Sequence, residues 1–150
     1  MERLVTEITE RGFRVSTVKH AHHSFDVDRS GKDSHRHREA GAVEVLLVSG
    51  NRWALMHELR QDDEPPLAQL LEKLTDVDLV LIEGYKRDSH PKIEAHRSAT
   101  GNDLIAWEDP SIHAVASDTA HAGLDRPVFD LNDHIAIADF ILKEVGLNAV

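Results

Sequence analysis

Cysteine, long apolar runs and an excess of basic residues are all absent from this 150-residue chain. Without cysteine there is neither a disulfide framework nor a thiolate site, which is typical of cytoplasmic proteins. A membrane-spanning helix needs about 20 consecutive apolar residues, so we expect a cytoplasmic protein that does not enter a membrane. The 17 Lys and Arg are outnumbered by 27 Asp and Glu, for a net charge of −10, which argues against a nucleic-acid-binding protein.

Apolar runs that alternate with helical patterns predict an α/β fold, a mostly parallel sheet with helices on both faces. Strands are expected at 13–18, 43–48, 52–59, 78–83, 93–96 and 112–117, and helices at 2–11, 33–40, 67–74 and 132–145. Asn132 or Asp133 is expected to cap the last helix. Residues 43–59 indicate a β-hairpin, and the almost continuously apolar strand 43–48 is expected to be covered on both faces. No linker or repeat divides the chain, so we expect a single domain over residues 1–150.

A polar segment, residues 19–34, follows the first predicted strand, where open α/β sheets place their ligands. It contains imidazoles and carboxylates, which are ligands for zinc or other transition metals. On an extended chain, however, His20 and His22 would lie on one side and His23 on the other. Asp26 and Asp28 would share a face and are candidate Mg²⁺ ligands, directly or through water; a solvated loop explains them equally well.

The start of the predicted helix at 33–40 is a candidate anion site. Free backbone N–H groups and the helix dipole favour a negative charge there, and Lys32 adds a full positive charge. Gly31 allows the backbone conformations that a turn before the helix needs. Helix capping by Asp33 or Ser34 is the alternative explanation. The G-x-x-x-x-G-K-[ST] pattern of a phosphate-binding loop occurs nowhere in the chain.

Two further strands end in an acid. The strand at 78–83 ends with Glu83 and Gly84, and in nucleotide-hydrolysing folds an acid in that place holds the water shell of Mg²⁺ or orients water. The cations that follow are expected to face the same anion: Lys86, Lys92 and Arg97. Asp118 ends the last strand, where a carboxylate can accept the N–H donors of a guanine edge.

Taken in order, these segments resemble the molybdopterin-guanine dinucleotide biosynthesis protein B (MobB) family. The matching segments are Val18–His23, Phe25–Asp28, Gly31–Ser34, Arg38–Ala42, Arg52–Met56, Asp78–Lys86, Pro91–Glu94 and Ala114–Asp118. The resemblance implies a P-loop GTP-binding fold, a homodimer and a role in assisting the guanylyltransferase that joins GMP to molybdopterin.

The chain departs from the family pattern at its start. Family members open with a strand and a phosphate-binding loop, whereas residues 1–6 resemble part of the helix that follows that loop. We therefore expect the first strand and the phosphate loop to be missing, with Met1 an internal methionine of a longer natural chain. Because the loop supplies most β/γ-phosphate contacts, we expect weak GTP binding and at most weak GTPase activity.

Individual roles follow from the resemblance. It implies GTP and Mg²⁺ as cofactors, with Asp26, Asp28 and Glu83 near the metal and Asp118 as the guanine reader. His22 or His23 would position water for hydrolysis. Lys19, Lys32 and Arg38 would line the anion-binding side of the cleft together with His22 and His23. The other cofactor-binding candidates are His20, Gly31, Asp33, Ser34, Gly84, Lys86, Lys92 and Arg97.

Two other functions remain open. One is a transition-metal-binding protein that uses the His/Asp loop. The other is a non-catalytic dimerisation and docking module, in which hairpin 43–59 pairs edge to edge with a second chain. The nucleotide hypothesis further requires Asp28, Glu83 and Asp118 to share one cavity.

Overall fold

The structure is a computed structural model that describes residues 1–21 and 25–148. The chain forms two compact units, of which the larger comprises Met1–His20 with Thr75–Val150 and the smaller Ala21–Leu74. Within the described residues, no helix is both long enough and apolar enough to cross a bilayer.

Helices and strands alternate along most of the chain. In order they are α1 (Glu2–Glu10), β1 (Val15–Lys19), α2 (Asp33–Glu39), β2 (Glu44–Val48), β3 (Trp53–His57), α3 (Leu67–Leu71), β4 (Leu79–Glu83), β5 (Lys92–His96), β6 (Ile112–Ser117), β7 (Val128–Asp130) and α4 (His134–Glu144). The predicted elements are present within a few residues of their expected bounds, and the α/β fold class is confirmed.

In the larger unit, β1 and β4 form a parallel pair that runs in register from Val15 opposite Leu79 to Lys19 opposite Glu83. Leu79 and Leu81 point to the same face because side chains alternate along a strand. There they pack with Ile8 of α1 and with Ala138 and Leu142 of α4. This apolar layer holds β1 and β4 in place, and so positions Lys19 and Glu83, the candidate site residues at the ends of the two strands.

The second sheet of the larger unit has the parallel order β5-β6-β7. Its central strand, β6, is buried from Ala114 to Ser117, and Val115 is fully buried. The sequence did not predict β7, because three residues are too few to establish an alternating pattern. Phe129 of β7 packs against Phe140 of α4, with ring centroids 5.4 Å apart.

Two predictions about helix starts have different outcomes. Asp133 caps α4 as expected, because its Oδ1 accepts a hydrogen bond from Ala136 N at 3.0 Å. The prediction that Asp33 or Ser34 caps α2 is wrong: Lys32 holds that position without a side-chain cap. Ser34 instead donates its hydroxyl to Asp28 Oδ1, 2.9 Å away, since the preceding loop folds back on the helix.

In the smaller unit, β2 and β3 form the expected antiparallel hairpin. The expectation that its first strand is covered on both faces is wrong. Leu46, Leu47 and Val48 are 59%, 52% and 65% exposed, because the hairpin is a two-stranded sheet and α2, which packs on β2, does not cover these side chains. An apolar run is therefore not sufficient to predict that the rest of the same chain covers the strand.

Candidate functional site

Lys19 and Glu83 meet at the carboxyl ends of β1 and β4. Lys19 Nζ lies 2.5 Å from Glu83 Oε1, and both side chains are at least half exposed. The hydrogen bond from Lys19 lowers the pKa of Glu83, so this carboxylate is ionised at neutral pH. The backbone N–H of His20 donates to Glu83 O at 2.9 Å. The pair thus presents one cation and one anion at a fixed strand edge.

The backbone after Glu83 is constrained. Gly84 has φ +97°, and a Cβ there would lie 2.8 Å from the Cβ of His20. Tyr85, with φ +49°, is one of two described non-glycine residues with positive φ, and its ring centroid lies 4.7 Å from that of His20. Such conformations cost about 1–3 kcal/mol each and cluster at ligand sites. Lys86, which follows, is exposed.

In the smaller unit, Arg38 gathers three acids. Its NH2 lies 2.9 Å from Asp26 Oδ1, its NH1 2.8 Å from Glu58 Oε1 and its Nε 3.6 Å from Asp28 Oδ2. The Asp28 side chain is 5% exposed. A hydrogen bond from the Asp28 backbone lowers the pKa of Asp26, and the charge of Arg38 adds to this effect. Asp26 and Asp28, two of the three predicted metal ligands, are therefore both paired with the guanidinium of Arg38.

The predicted anion site at the start of α2 is partly occupied by other contacts. Gly31 has φ +81°, as a turn into the helix requires. Asp33 forms an ion pair with Arg36, and Ser34 is bonded to Asp28. Lys32 is exposed, and its backbone N–H donates to Arg29 O at 3.1 Å.

Of the remaining predicted cations, Lys92 is bound to an acid. Its Nζ lies 3.0 Å from Asp109 Oδ2, and its side chain is only 10% exposed. Hydrogen bonds from Ser111 and Lys92 lower the pKa of Asp109 to about 2. The charge of Lys92 is thus already compensated, whereas Arg97 is exposed just before a short 3-10 helix, Ser98–Thr100.

Asp118 lies immediately after β6 and is held by Ser98. Ser98 donates its backbone N–H to Asp118 Oδ1 at 2.9 Å and its hydroxyl to Oδ2 at 3.1 Å. The hydrogen bond from the Ser98 backbone lowers the pKa of Asp118. The carboxylate lines an open cavity of about 500 Å³, whose wall is formed by residues 117–122 and 128–130. Glu83 lies in the same unit but does not line this cavity, so the one cavity expected to hold Glu83 and Asp118 together is not seen.

Sequence reasoning missed the hydroxyl and imidazole groups beside Asp118. Ser117 Oγ lies 3.2 Å from His96 Nδ1 and 2.9 Å from His121 Nε2. Ser117 is 4% exposed, and the two imidazole rings meet edge to face at 5.0 Å. No local signal could have linked these residues, because three separate segments bring them together.

The transition-metal hypothesis gains no support from the described residues. Within 1–21 and 25–148 there is no group of three His, Asp or Glu side chains arranged to hold a metal ion. His22 and His23, the predicted water-positioning residues, lie outside the described residues.

Known proteins similar to this chain point to one family. The family described as "Molybdopterin guanine dinucleotide synthesis protein B" (MobB) matches residues 1–118. The molybdopterin-guanine dinucleotide biosynthesis adapter protein of Haemophilus influenzae is 41% identical over 142 residues, which cover 94% of this chain and 78% of that protein. The adapter protein of the same name from Escherichia coli K12 is 36% identical over 148 residues, covering 95% and 83%.

Solved structures agree with the sequence comparison. A crystal structure of molybdopterin-guanine biosynthesis protein B superposes with a TM-score of 0.74 at 25% identity, over 95% of this chain and 88% of that one. With the family match spanning most of the chain, and with relatives above 30% identity along nearly all of it, the protein belongs to the MobB family.

Proposed function

We propose that this protein is an adapter in molybdopterin-guanine dinucleotide biosynthesis, which docks on the guanylyltransferase as a homodimer and binds a magnesium-bound guanine nucleotide. The observation that carries the homodimer part of this proposal is the exposed apolar face of the β2–β3 hairpin. Relatives above 30% identity are named adapter proteins. An adapter acts by binding other protein chains, so it requires an exposed interaction surface.

The two faces of the hairpin differ. On one face, Val45 lies opposite Met56, which is 8% exposed and so already covered. On the other face, two cross-strand pairs remain open: Leu46 with Leu55, and Val48 with Trp53. Leu55 and Trp53 are 47% and 63% exposed. A contiguous apolar face of this kind marks an interaction site, and we assign it to the homodimer contact.

Trp53 is the residue to test, because tryptophan is enriched among residues that dominate interface energies. The chain contains two tryptophans, and Trp107 is similarly exposed at 53% but lies outside the hairpin. Trp53→Ala should weaken dimerisation at least about 30-fold, while Trp107→Ala leaves it unchanged. Sedimentation velocity over a concentration series measures both; a monomeric wild-type chain, or equal effects of the two variants, contradicts the homodimer.

The Lys19–Glu83 pair is the proposed site of the nucleotide phosphates and Mg²⁺. Glu83 fits a hard cation, because it is an exposed, ionised oxygen ligand. Lys19 adds a positive charge for a phosphate. The bound metal would neutralise phosphate charge.

Calorimetry tests the nucleotide part. GTP with Mg²⁺ should bind better than ATP with Mg²⁺, and better than guanosine, which lacks the phosphates. Glu83→Gln should remove the magnesium dependence of GTP binding, and Glu72→Gln, an exposed acid after α3, is the matched control. Equal binding of ATP and GTP, or no binding of either, overturns the nucleotide role.

Docking on the guanylyltransferase is a separate experiment. The purified enzyme, immobilised on a sensor surface, should retain wild-type protein without added nucleotide. It should release the protein once the substrates of GMP transfer are added. The control is an unrelated acidic protein of equal net charge. If the surface retains it to the same degree, charge alone produces the signal, and specific docking is contradicted.

A further inference from the structure

A second exposed apolar feature lies in the larger unit, on the turn of residues 103–108, which we name the Trp107 turn. It contains the short 3-10 helix Ile105–Trp107, in which Ile105 and Trp107 are 42% and 53% exposed. Within residues 1–21 and 25–148, the indole N–H of Trp107 makes no hydrogen bond and its ring contacts no other ring. Single exposed apolar side chains are common on protein surfaces, so further features have to mark this turn as an interaction site.

One such feature is the firm hold on the backbone of the Trp107 turn. The Glu94 carboxylate accepts hydrogen bonds from Ile105 N at 3.0 Å and from Ala106 N at 2.7 Å. Leu104 and Ala106, which are 6% and 0% exposed, pack in the apolar cluster beside β6. Trp107 is therefore presented to solvent on a fixed backbone, and a partner that binds its ring has little chain left to order.

The second feature is the charge beside the exposed ring. Asp103 and Glu108 are exposed, and neither forms an ion pair with any residue that the structure describes. A second copy of this chain, with 17 Lys and Arg against 27 Asp and Glu, is a poor electrostatic complement to these two acids. The turn instead favours a different protein, one that places cationic side chains around an apolar pocket.

We propose that the Trp107 turn is the surface that docks on the guanylyltransferase, with the indole of Trp107 in an apolar pocket and Asp103 and Glu108 against cations of that enzyme. An enzyme that transfers GMP has to bind phosphate, and positive charge lines phosphate sites, which supplies the complement to the two acids. The inference rests on the adapter role proposed above. It assigns enzyme docking to the larger unit, whereas the proposed homodimer contact is the hairpin of the smaller unit.

The test measures how variants of the whole chain bind to the immobilised guanylyltransferase. Trp107→Ala should weaken binding at least about tenfold, and Trp107→Phe should weaken it less, because an aromatic ring remains. Ile135→Ala is the matched control and should leave binding unchanged, since Ile135 is 52% exposed on α4 of the same unit. Circular dichroism and sedimentation velocity check that each variant keeps the wild-type fold and oligomeric state.

The two acids have their own readout. Asp103→Lys combined with Glu108→Lys should lower the association rate at least about tenfold, and the difference from wild type should shrink as salt is raised, because salt screens the charges. Glu10→Lys combined with Glu72→Lys changes the net charge equally at two other exposed acids and should have a much smaller effect. Equal association rates of the two double variants contradict the basic partner surface.

The outcomes distinguish this inference from the docking proposal on which it rests. If the enzyme retains wild type and Trp107→Ala equally well, the inference fails and docking on the guanylyltransferase stands. If the enzyme retains neither protein, docking itself fails and the inference is overturned with it. Loss of affinity in Trp107→Ala, with Ile135→Ala unchanged, supports both.

Discussion

Lys19 and Glu83 form the last register pair of β1 and β4, with Lys19 Nζ 2.5 Å from Glu83 Oε1. The pairing of two parallel strands thus places opposite charges side by side at the edge where a ligand is expected. Its electrostatic effect is measurable apart from any ligand.

Removal of Lys19 should raise the pKa of Glu83 towards its usual value of 4.5, because the hydrogen bond and charge that lower it are lost. In the wild type, this contribution to stability is present above pH 4.5 and disappears as the pH falls through the lower folded-state pKa. Lys19→Met should therefore cost about 0.5 kcal/mol at pH 7 and nothing at low pH. NMR titration of the Glu83 carboxyl checks the shift, and an unchanged pKa contradicts the ion pair.

Gly84 should not tolerate a side chain. Gly84→Ala combines left-handed backbone strain with a Cβ only 2.8 Å from His20 Cβ, so it should destabilise the fold by about 2–3 kcal/mol. Gly123→Ala is the matched control, because Gly123 has a similar φ of +87° with no atom within 4 Å of the added Cβ. Urea unfolding should give the control about 1 kcal/mol less destabilisation; equal values would contradict the close approach.

Asp109 should make stability fall in strong acid. Its pKa of about 2 lies below the usual 3.8 because of hydrogen bonds from Ser111 and Lys92. A depressed pKa contributes stability that is complete above pH 3.8 and is lost as pH falls towards 2. Asp109→Asn should be less stable than wild type at pH 6, and the difference should shrink below pH 3. Thermal unfolding across this range measures it, and a constant difference contradicts the assignment.

Arg38 and Asp28 should behave as a coupled pair. The Asp28 side chain is 5% exposed, so Arg38→Met leaves a buried carboxylate without its cation. Adding Asp28→Asn removes that charge, and the double variant should be more stable than Arg38→Met alone. Urea midpoints for the four proteins give the coupling. Strictly additive effects would contradict it.

Local patterns were enough for most of the fold. The apolar run at 78–83 predicted β4, helical spacing of Leu4, Val5 and Ile8 predicted α1, and Asp133 was recognised as a helix cap. Each of these signals lies within about one helical turn or one strand. For the same reason β7, with three residues, left no pattern.

The candidate site was predicted less completely. Strand ends drew attention to Glu83 and Asp118, since ligands gather there in open sheets. Glu83 ends β4 and Asp118 follows β6, and their functional roles stay predictions. Lys92 was expected to face an anion, but its charge is taken by Asp109. His96 and His121 were missed altogether, because their contacts with Ser117 join three separate segments of the chain.

By itself, the sequence determined the α/β class, the order of elements and membership of the MobB family, because periodicity and short motifs are local properties of the chain. Only the tertiary structure decided which polar groups meet and which apolar groups stay exposed. Those outcomes depend on strand register and on packing between distant segments. Register sets Lys19 against Glu83, and the hairpin face around Trp53 stays exposed because the described residues do not cover it.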